Sequence, residues 1–478
     1  MARHPVLTHD RDFYKKAVAI TIPIALQNLI ATSLNMVDTV LISGLGKTAV
    51  AAVGLANQVF FLFNLVSFGI CSGAAIFISQ YWGERDTGNI RRVLGLTLAA
   101  NIFVALVFCA AGFLFPGPIL RLFTRDPEVI LLGVRFLRLV SFSYILFAVT
   151  FPYAFTLRGI GQTTYPMLTG FVAFFLNTLL NFGLIYGRMG LPRLGITGSA
   201  LATLLARAAE TIVLLGLVYA LQLVPAARLR ELADLPASFA RRVYRTILPV
   251  IANETLWALG VTMFTVVYAR MGTEVVAAYN IFSTIDRLAM VLFFGLANAC
   301  AVLVGEKIGA GRDETAFTYA RTLALLGPGI GILVAVILAL LAGQTLSIFR
   351  LPTHVTLLAG QFAAVYALAI PVKVFNLINV VGILRSGGDT KYSLFLDTVG
   401  LWFLAVPLAF FAGLVWRLSP IGVYALALLE EIFKFTLGLR RLLSRRWINR
   451  LTVCMDEFAP QPRTRAIARS GRAALPRD

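Results

Sequence analysis

Apolar positions in this chain do not alternate or recur every third or fourth residue. They run on for about twenty or more positions at a time, broken by short polar stretches. Twelve runs are read, at about 17–45, 52–80, 93–115, 130–157, 166–187, 196–224, 244–270, 279–305, 318–342, 358–384, 393–416 and 420–443. A helix of that length, rising 1.5 Å per residue, crosses a hydrocarbon layer about 30 Å thick. Backbone groups inside a bilayer must be satisfied within their own segment, so the pattern predicts an all-α integral membrane protein with twelve transmembrane helices.

The pattern occurs twice. A shift of 226 places Pro23 on Pro249, Gly46 on Gly272, Val50-Ala51-Ala52 on Val276-Ala277-Ala278, Gly69 on Gly295 and Gly83 on Gly309. A shift of 227 places the stretch Arg158 to Tyr165 on Arg385 to Tyr392. Six runs per copy give both copies the same orientation, and duplicated bundles of this kind are a signature of transporters that handle substrate between the copies. The polar punctuation divides the chain into an N-terminal segment 1–16, a first lobe 17–224, a connector 225–243, a second lobe 244–446 and a basic tail 447–478. Stretches 116–129 and 343–357 correspond in the two copies, and each is expected to form a short interfacial helix. Pro23 and Pro249 lie inside the first run of each copy, where a proline frees a backbone carbonyl and tends to kink a helix. They are the expected gating kinks.

Composition narrows the class. Hydrophobic residues make up 59% and charged residues only 14%, against about 25% charged in soluble domains. The net charge of +19 is assigned to loops rather than to a nucleic-acid partner. Arg91-Arg92, Arg228, Arg230, Arg241-Arg242, Arg245, Arg440-Arg441 and Arg445-Arg446 fall on the side of the N-terminus, which places both termini in the cytoplasm. The tail is expected to lack fixed structure or to lie on anionic headgroups. The polar start and the length of the first run argue against a cleaved signal peptide. Cys71, Cys109, Cys300 and Cys454 form no CxxC pair, and His4, His9 and His354 lie in a tail or loop. No metal centre, cofactor or histidine-based catalytic cluster is therefore expected, and an enzyme is not. No repeated charged ring suggests a channel.

Charges at bilayer depth are expensive and are functional candidates by default. Asp38 stands in the otherwise uncharged stretch Ile30 to Gly46, and its repeat mate is Phe264. Burial favours the neutral form of a carboxyl group, the property a proton carrier needs, so Asp38 is the expected site of alternate H+ or Na+ binding. Asn177 and Asn181, four apart on one helical face, are positioned to cradle it. Glu254, in Asn253-Glu254-Thr255-Leu256-Trp257, has Asn28 as its mate at a shift of 226. A carboxylate with Trp257 nearly one turn away suits an organic cation through charge pairing and cation–π contact. Asp286-Arg287 and Arg207 with Glu210 read as neutralised pairs. Lys373 would pair with Glu254 or Asp286, while Asp397 and Glu430-Glu431 would anchor loop arginines. The phenylalanine-rich stretches read mainly as core or lipid-facing.

Met36-Val37-Asp38-Thr39, Asn253 to Trp257 and Leu384-Arg385-Ser386-Gly387-Gly388-Asp389-Thr390, in this order on a duplicated twelve-span chain, resemble the multidrug and toxic compound extrusion (MATE) family over about residues 12–448. The resemblance implies two six-helix lobes in a V, and antiport of organic cations against H+ or Na+ across a bacterial inner membrane. It matches Asp38 to the coupling acid of the N-lobe, Asn177 and Asn181 to its polar neighbours, and Glu254 to the C-lobe acid. Where some relatives carry a further acid in the tenth span, this chain has Lys373, which tilts the expectation toward an N-lobe site with H+, or Na+ competing with H+, at Asp38. Small organic cations and membrane lipids are the expected partners, and a monomer the expected state. The alternative is a flippase for a lipid-linked glycan or peptidoglycan precursor, for which Lys373, Arg207 and Arg287 would supply the cationic groups.

Overall fold

The computed structural model describes residues 7–347 and 352–452, and the regular structure in them is helical throughout. The first lobe contains α1 (Arg11–Ser43), α2 (Lys47–Glu84), α3 (Thr87–Leu114), α4 (Pro116–Arg121), α5 (Pro127–Val140), α6 (Ser143–Gly159), α7 (Thr164–Tyr186) and α8 (Ile196–Ala220). The connector holds α9 (Leu229–Ala233). The second lobe contains α10 (Ala237–Met271), α11 (Thr273–Gly309), α12 (Asp313–Ser347) and α13 (Thr353–Leu377), which runs on into π-helical turns at Ile378–Leu384. It continues through α14 (Thr390–Thr398), α15 (Val406–Phe410), α16 (Pro420–Ala427) and α17 (Leu429–Leu443), with π-helical turns at Val399–Ala405 and Phe411–Val415.

Acidic caps start several helices. Asp10 accepts from the backbone of Asp12 and Phe13 ahead of α1, Asp86 from Asn89 ahead of α3, and Asp126 from Glu128 and Val129 ahead of α5. These bonds satisfy donors that a helix start leaves unpaired.

Ten of the twelve expected spans are single stretches long and apolar enough to cross a membrane, and α5 with α6 make an eleventh that is bent by 48°. The expected span over 130–157 is thus formed by two helices that meet at this bend. Ser141 and Ser143 turn their hydroxyls back onto the carbonyls of Arg138 (3.0 Å) and Val140 (2.6 Å) at the break, a local bond that competes with the helix ladder. The run 420–443 is split at Leu428 into α16 and α17, and Glu430, Glu431 and Lys434 lie on the second piece. Stretch 116–129 does carry a short helix, α4. In 343–357 the described residues belong to the ends of α12 and α13 instead, and 348–351 lie outside the described residues. The connector is shorter than expected, since α10 begins at Ala237. Residues 447–452 are held against the lobes, while 453–478, with Cys454, and His4 lie outside the described residues.

The lobes interlock at the end that carries the connector. Phe13, Ala17, Ile20 and Ile24 of α1 sit in the core of the second lobe with Phe293 and Leu296 of α11. Reciprocally, Phe239, Val243 and Ile247 of α10 sit in a core with Phe77, Val93 and Leu157 of the first lobe. Close approach is possible because the crossing points are glycines. A Cβ on Gly69 would lie 2.8 Å from Ile251 Cα, and one on its repeat mate Gly295 would lie 2.6 Å from Thr21 O. Further along, Met36 and Val40 of α1 and Trp257 and Leu259 of α10 are exposed. The two lobes part there, giving a V closed at the connector end.

Candidate functional site

Inside the first lobe, α1, α7 and α8 enclose a polar centre. Asn181 Nδ2 donates to Asp38 Oδ1 at 2.8 Å and to Asn177 Oδ1 at 2.8 Å. Asn177 Nδ2 reaches Thr203 Oγ1 on α8 at 3.5 Å. Both asparagines are buried, so the i, i+4 spacing seen in the sequence does put them on one inward face. Tyr186 OH donates to Leu41 O at 2.6 Å and ties α7 to the last turns of α1. A cavity of about 180 Å3 opens beside Asp38, lined also by Asn35, Asn57, Thr203 and Arg207.

Arg207 is the residue that sequence reasoning placed elsewhere. It does pair with Glu210, at 2.8 Å, as expected, and its guanidinium lies over the Phe147 ring at 5.2 Å. It nonetheless lines the same cavity as Asp38. A signal existed, since Arg207 and Lys434 correspond at a shift of 227 and both stand on the last span of a copy.

Pro23 of α1 cannot donate to Ala19 O four residues back. That carbonyl accepts instead from Thr163 Oγ1, at 3.2 Å, just ahead of α7. Gln27, one turn on, donates to Pro166 O at 3.2 Å and accepts from Arg158. The stretch around Pro23, which lacks that one ladder bond, is thus tied by side chains to α6 and to the start of α7.

In the second lobe the expected cluster is rearranged. Glu254 does not stand free beside Trp257. It accepts from Arg385 Nη1 at 2.7 Å, and the same guanidinium nitrogen donates to Ser72 Oγ of the first lobe at 3.3 Å. Trp257 is 44% exposed. The pair has a counterpart in the first lobe, where Arg158, the mate of Arg385, takes Gln27. Glu254 is therefore spatially equivalent to Gln27 rather than to Asn28, one residue away from the sequence register.

Lys373 settles on Asp286, at 3.4 Å, and over the Tyr366 ring at 4.7 Å, whereas Arg287 turns to Ser283. The expected Asp286–Arg287 pair is thus not formed. Asn253 is buried and donates to Asp397 Oδ2 at 2.9 Å. Asp397 and Glu430 face Lys434 at 3.3 and 3.6 Å, and Glu431 takes Asn376 at 2.8 Å. These acids meet a buried lysine and an amide, not loop arginines, because α14 and α17 turn those residues inward. Lys434 was missed although Glu430 stands four residues before it, a spacing that brings opposite charges together on one helix face.

Among the described residues no group of three or more His, Cys, Asp and Glu side chains is arranged to hold a metal ion.

Comparison with known proteins places this geometry. A family model described as MatE matches residues 23–182 and again 249–411, so its two copies begin at the paired prolines. The NorM protein of Thermotoga maritima, called a probable multidrug resistance protein, is 24% identical over 92% of this chain and 95% of its own. The multidrug resistance protein MdtK of Edwardsiella ictaluri is 25% identical over 85% of this chain and 89% of its own. Among solved structures, the Vibrio cholerae MATE transporter VcmN superimposes with a TM-score of 0.83 at 18% identity, covering 91% of this chain and 98% of that one. With both halves matched by the family model and the two-lobed helical fold shared, the chain belongs to the MATE family of multi-pass membrane transporters.

Proposed function

We propose that this chain is a secondary active exporter that moves organic cations out of the cytoplasm in exchange for H+ or Na+ by alternating access. The observation that carries the reading is Asp38, an acid at membrane depth held by Asn181 and beside a cavity. Such a carboxylate can bind a monovalent ion reversibly. An ion bound there can bias α1, whose ladder is already interrupted at Pro23, between two shapes. Coupling follows if ion and substrate favour opposite-facing states. With both termini in the cytoplasm, the closed connector end faces inward and the V opens outward across a bacterial inner membrane. The relatives' printed names, NorM and MdtK among them, support a multidrug role.

The flippase alternative needs free cationic groups. Lys373 and Arg207 are both engaged by acids, which favours the exporter, while Arg287 meets Ser283 and is left to the alternative. The test is uptake of a fluorescent cation such as ethidium into inside-out proteoliposomes under an imposed pH gradient and, separately, an imposed Na+ gradient. Gradient-driven uptake that Asp38→Asn abolishes is expected. Wild-type rates in Asp38→Asn would sink the mechanism, and no cation movement under either gradient would return the flippase reading.

A further inference from the structure

We propose that Arg207 is a tethered counter-ion for Asp38 and that it makes the proton, not Na+, the ion that this cavity binds. The inference rests on Asp38 being the ion site and goes further by choosing the ion. Asp38 on α1 and Arg207 on α8 line one cavity of about 180 Å3. Among the described residues, Asp38 accepts a hydrogen bond only at Oδ1, from Asn181. Arg207 spends only Nη1, on Glu210. An unused carboxylate oxygen and unused guanidinium donors therefore share one small space.

The second lobe holds the same device in its collapsed form. Lys434, the repeat mate of Arg207, sits directly on Asp397 and Glu430 at 3.3 and 3.6 Å. The last span of each copy thus carries a basic side chain facing interior acids. In one lobe it is in contact with an acid of another span, and in the other it is parted from Asp38 and parked on its own helix.

The chemistry then selects the ion. Na+ would have to enter beside a permanently charged guanidinium and collect oxygen ligands. The amide nearest Asp38 presents its N–H to the carboxylate rather than its oxygen. A proton needs only the carboxylate itself. When it leaves, Arg207 can take the vacated oxygen and balance the charge, so no second cation is required. The other groups around Asp38 are Glu210 on α8, Tyr186, Asn177 and Asn181 on α7, and Asn57 on α2. Among the residues lining the cavity, Asp38 and Arg207 are the two that carry charge.

The test uses the purified full-length protein and reads ion binding apart from transport. Melting is followed in detergent while NaCl is titrated against choline chloride at equal ionic strength and fixed pH. The variants are wild type, Asp38→Asn, Arg207→Gln, Arg207→Lys and Arg207→Gln with Glu210→Gln, the last in case an unpaired Glu210 prevents folding. Wild type and Arg207→Lys are expected to melt at one temperature whatever the Na+ concentration. Arg207→Gln, or the double variant, is expected to gain a saturable upward shift with Na+ that is lost when Asp38→Asn is added to the same variant. An Asp38-dependent Na+ shift in wild type would overturn the proposal, as would no gain in either Arg207→Gln variant. Failure of organic-cation uptake in liposomes would count against the exporter alone and leave this result standing.

Discussion

At the scale of single residues, the two copies place an arginine at the same point and answer it differently. Arg158 is met by the amide of Gln27, Arg385 by the carboxylate of Glu254. Arg385 is only 3% exposed, and stripping a buried charge of its partner costs about 3–5 kcal/mol. Glu254→Ala should therefore destabilise the protein by about that much. Glu254→Gln should lose clearly less, since an amide oxygen already serves Arg158. Thermal melting of the two variants side by side decides it, and equal losses would mean that an amide oxygen at position 254 cannot serve Arg385. Lost transport in Glu254→Gln would then have to be corrected for folding before it said anything about substrate.

At the scale of elements, the paired prolines do not act alone. Pro23 frees Ala19 O, and Thr163, buried ahead of α7, takes it. An unpaired buried carbonyl costs about 1–3 kcal/mol, so Thr163→Val should lower stability by roughly that much. In a Pro23→Ala background the residue at 23 can donate to Ala19 O itself, and the same Thr163→Val change should cost little. A double-mutant cycle by melting measures the difference as a coupling between the two positions. Additive losses would show that Thr163 does not replace the missing ladder bond. If the coupling is found, bending of α1 proceeds by exchanging Ala19 O between partners, which gives the gate a second handle on α7.

At the scale of the whole molecule, the closed end of the V is fastened by polar contacts as well as by glycines. Gln80 of α2 is completely buried. It donates to Ser386 O (2.9 Å) and Asn449 O (3.1 Å) and accepts from Leu451 N (2.9 Å), all belonging to the second lobe or to the strap 447–452 that follows it. Arg450 of the strap meets Asp313 at 3.0 Å, and Trp447 is wholly buried. Opening the connector end must break the Gln80 bonds together. Gln80→Ala should loosen that end and broaden the distance distribution between spin labels on Thr87 and Arg312, both exposed and in opposite lobes. The readout is pulsed electron resonance in a background without native cysteines. A distribution unchanged in width would show that the strap does not hold the closed state.

Run length, the 226-residue repeat and the paired prolines, glycines and arginines fix an all-helical, duplicated membrane bundle without further help, because a bilayer admits few other solutions for such runs. The meeting of Asp38 with Asn177 and Asn181 was legible too, since two amides one turn apart in lipid must face inward. Which charge meets which was not. Glu254 finding Arg385, Lys434 joining Asp397, and Arg207 reaching the Asp38 cavity all join helices far apart in sequence, and for Lys373 the sequence left Glu254 and Asp286 open until the fold chose Asp286. Spacing along one helix fixes the face a side chain occupies, whereas its partner depends on how neighbouring helices rotate and cross. That rotation is set by close packing at glycine crossings such as Gly69 and Gly295, and only the folded pair of lobes decides it.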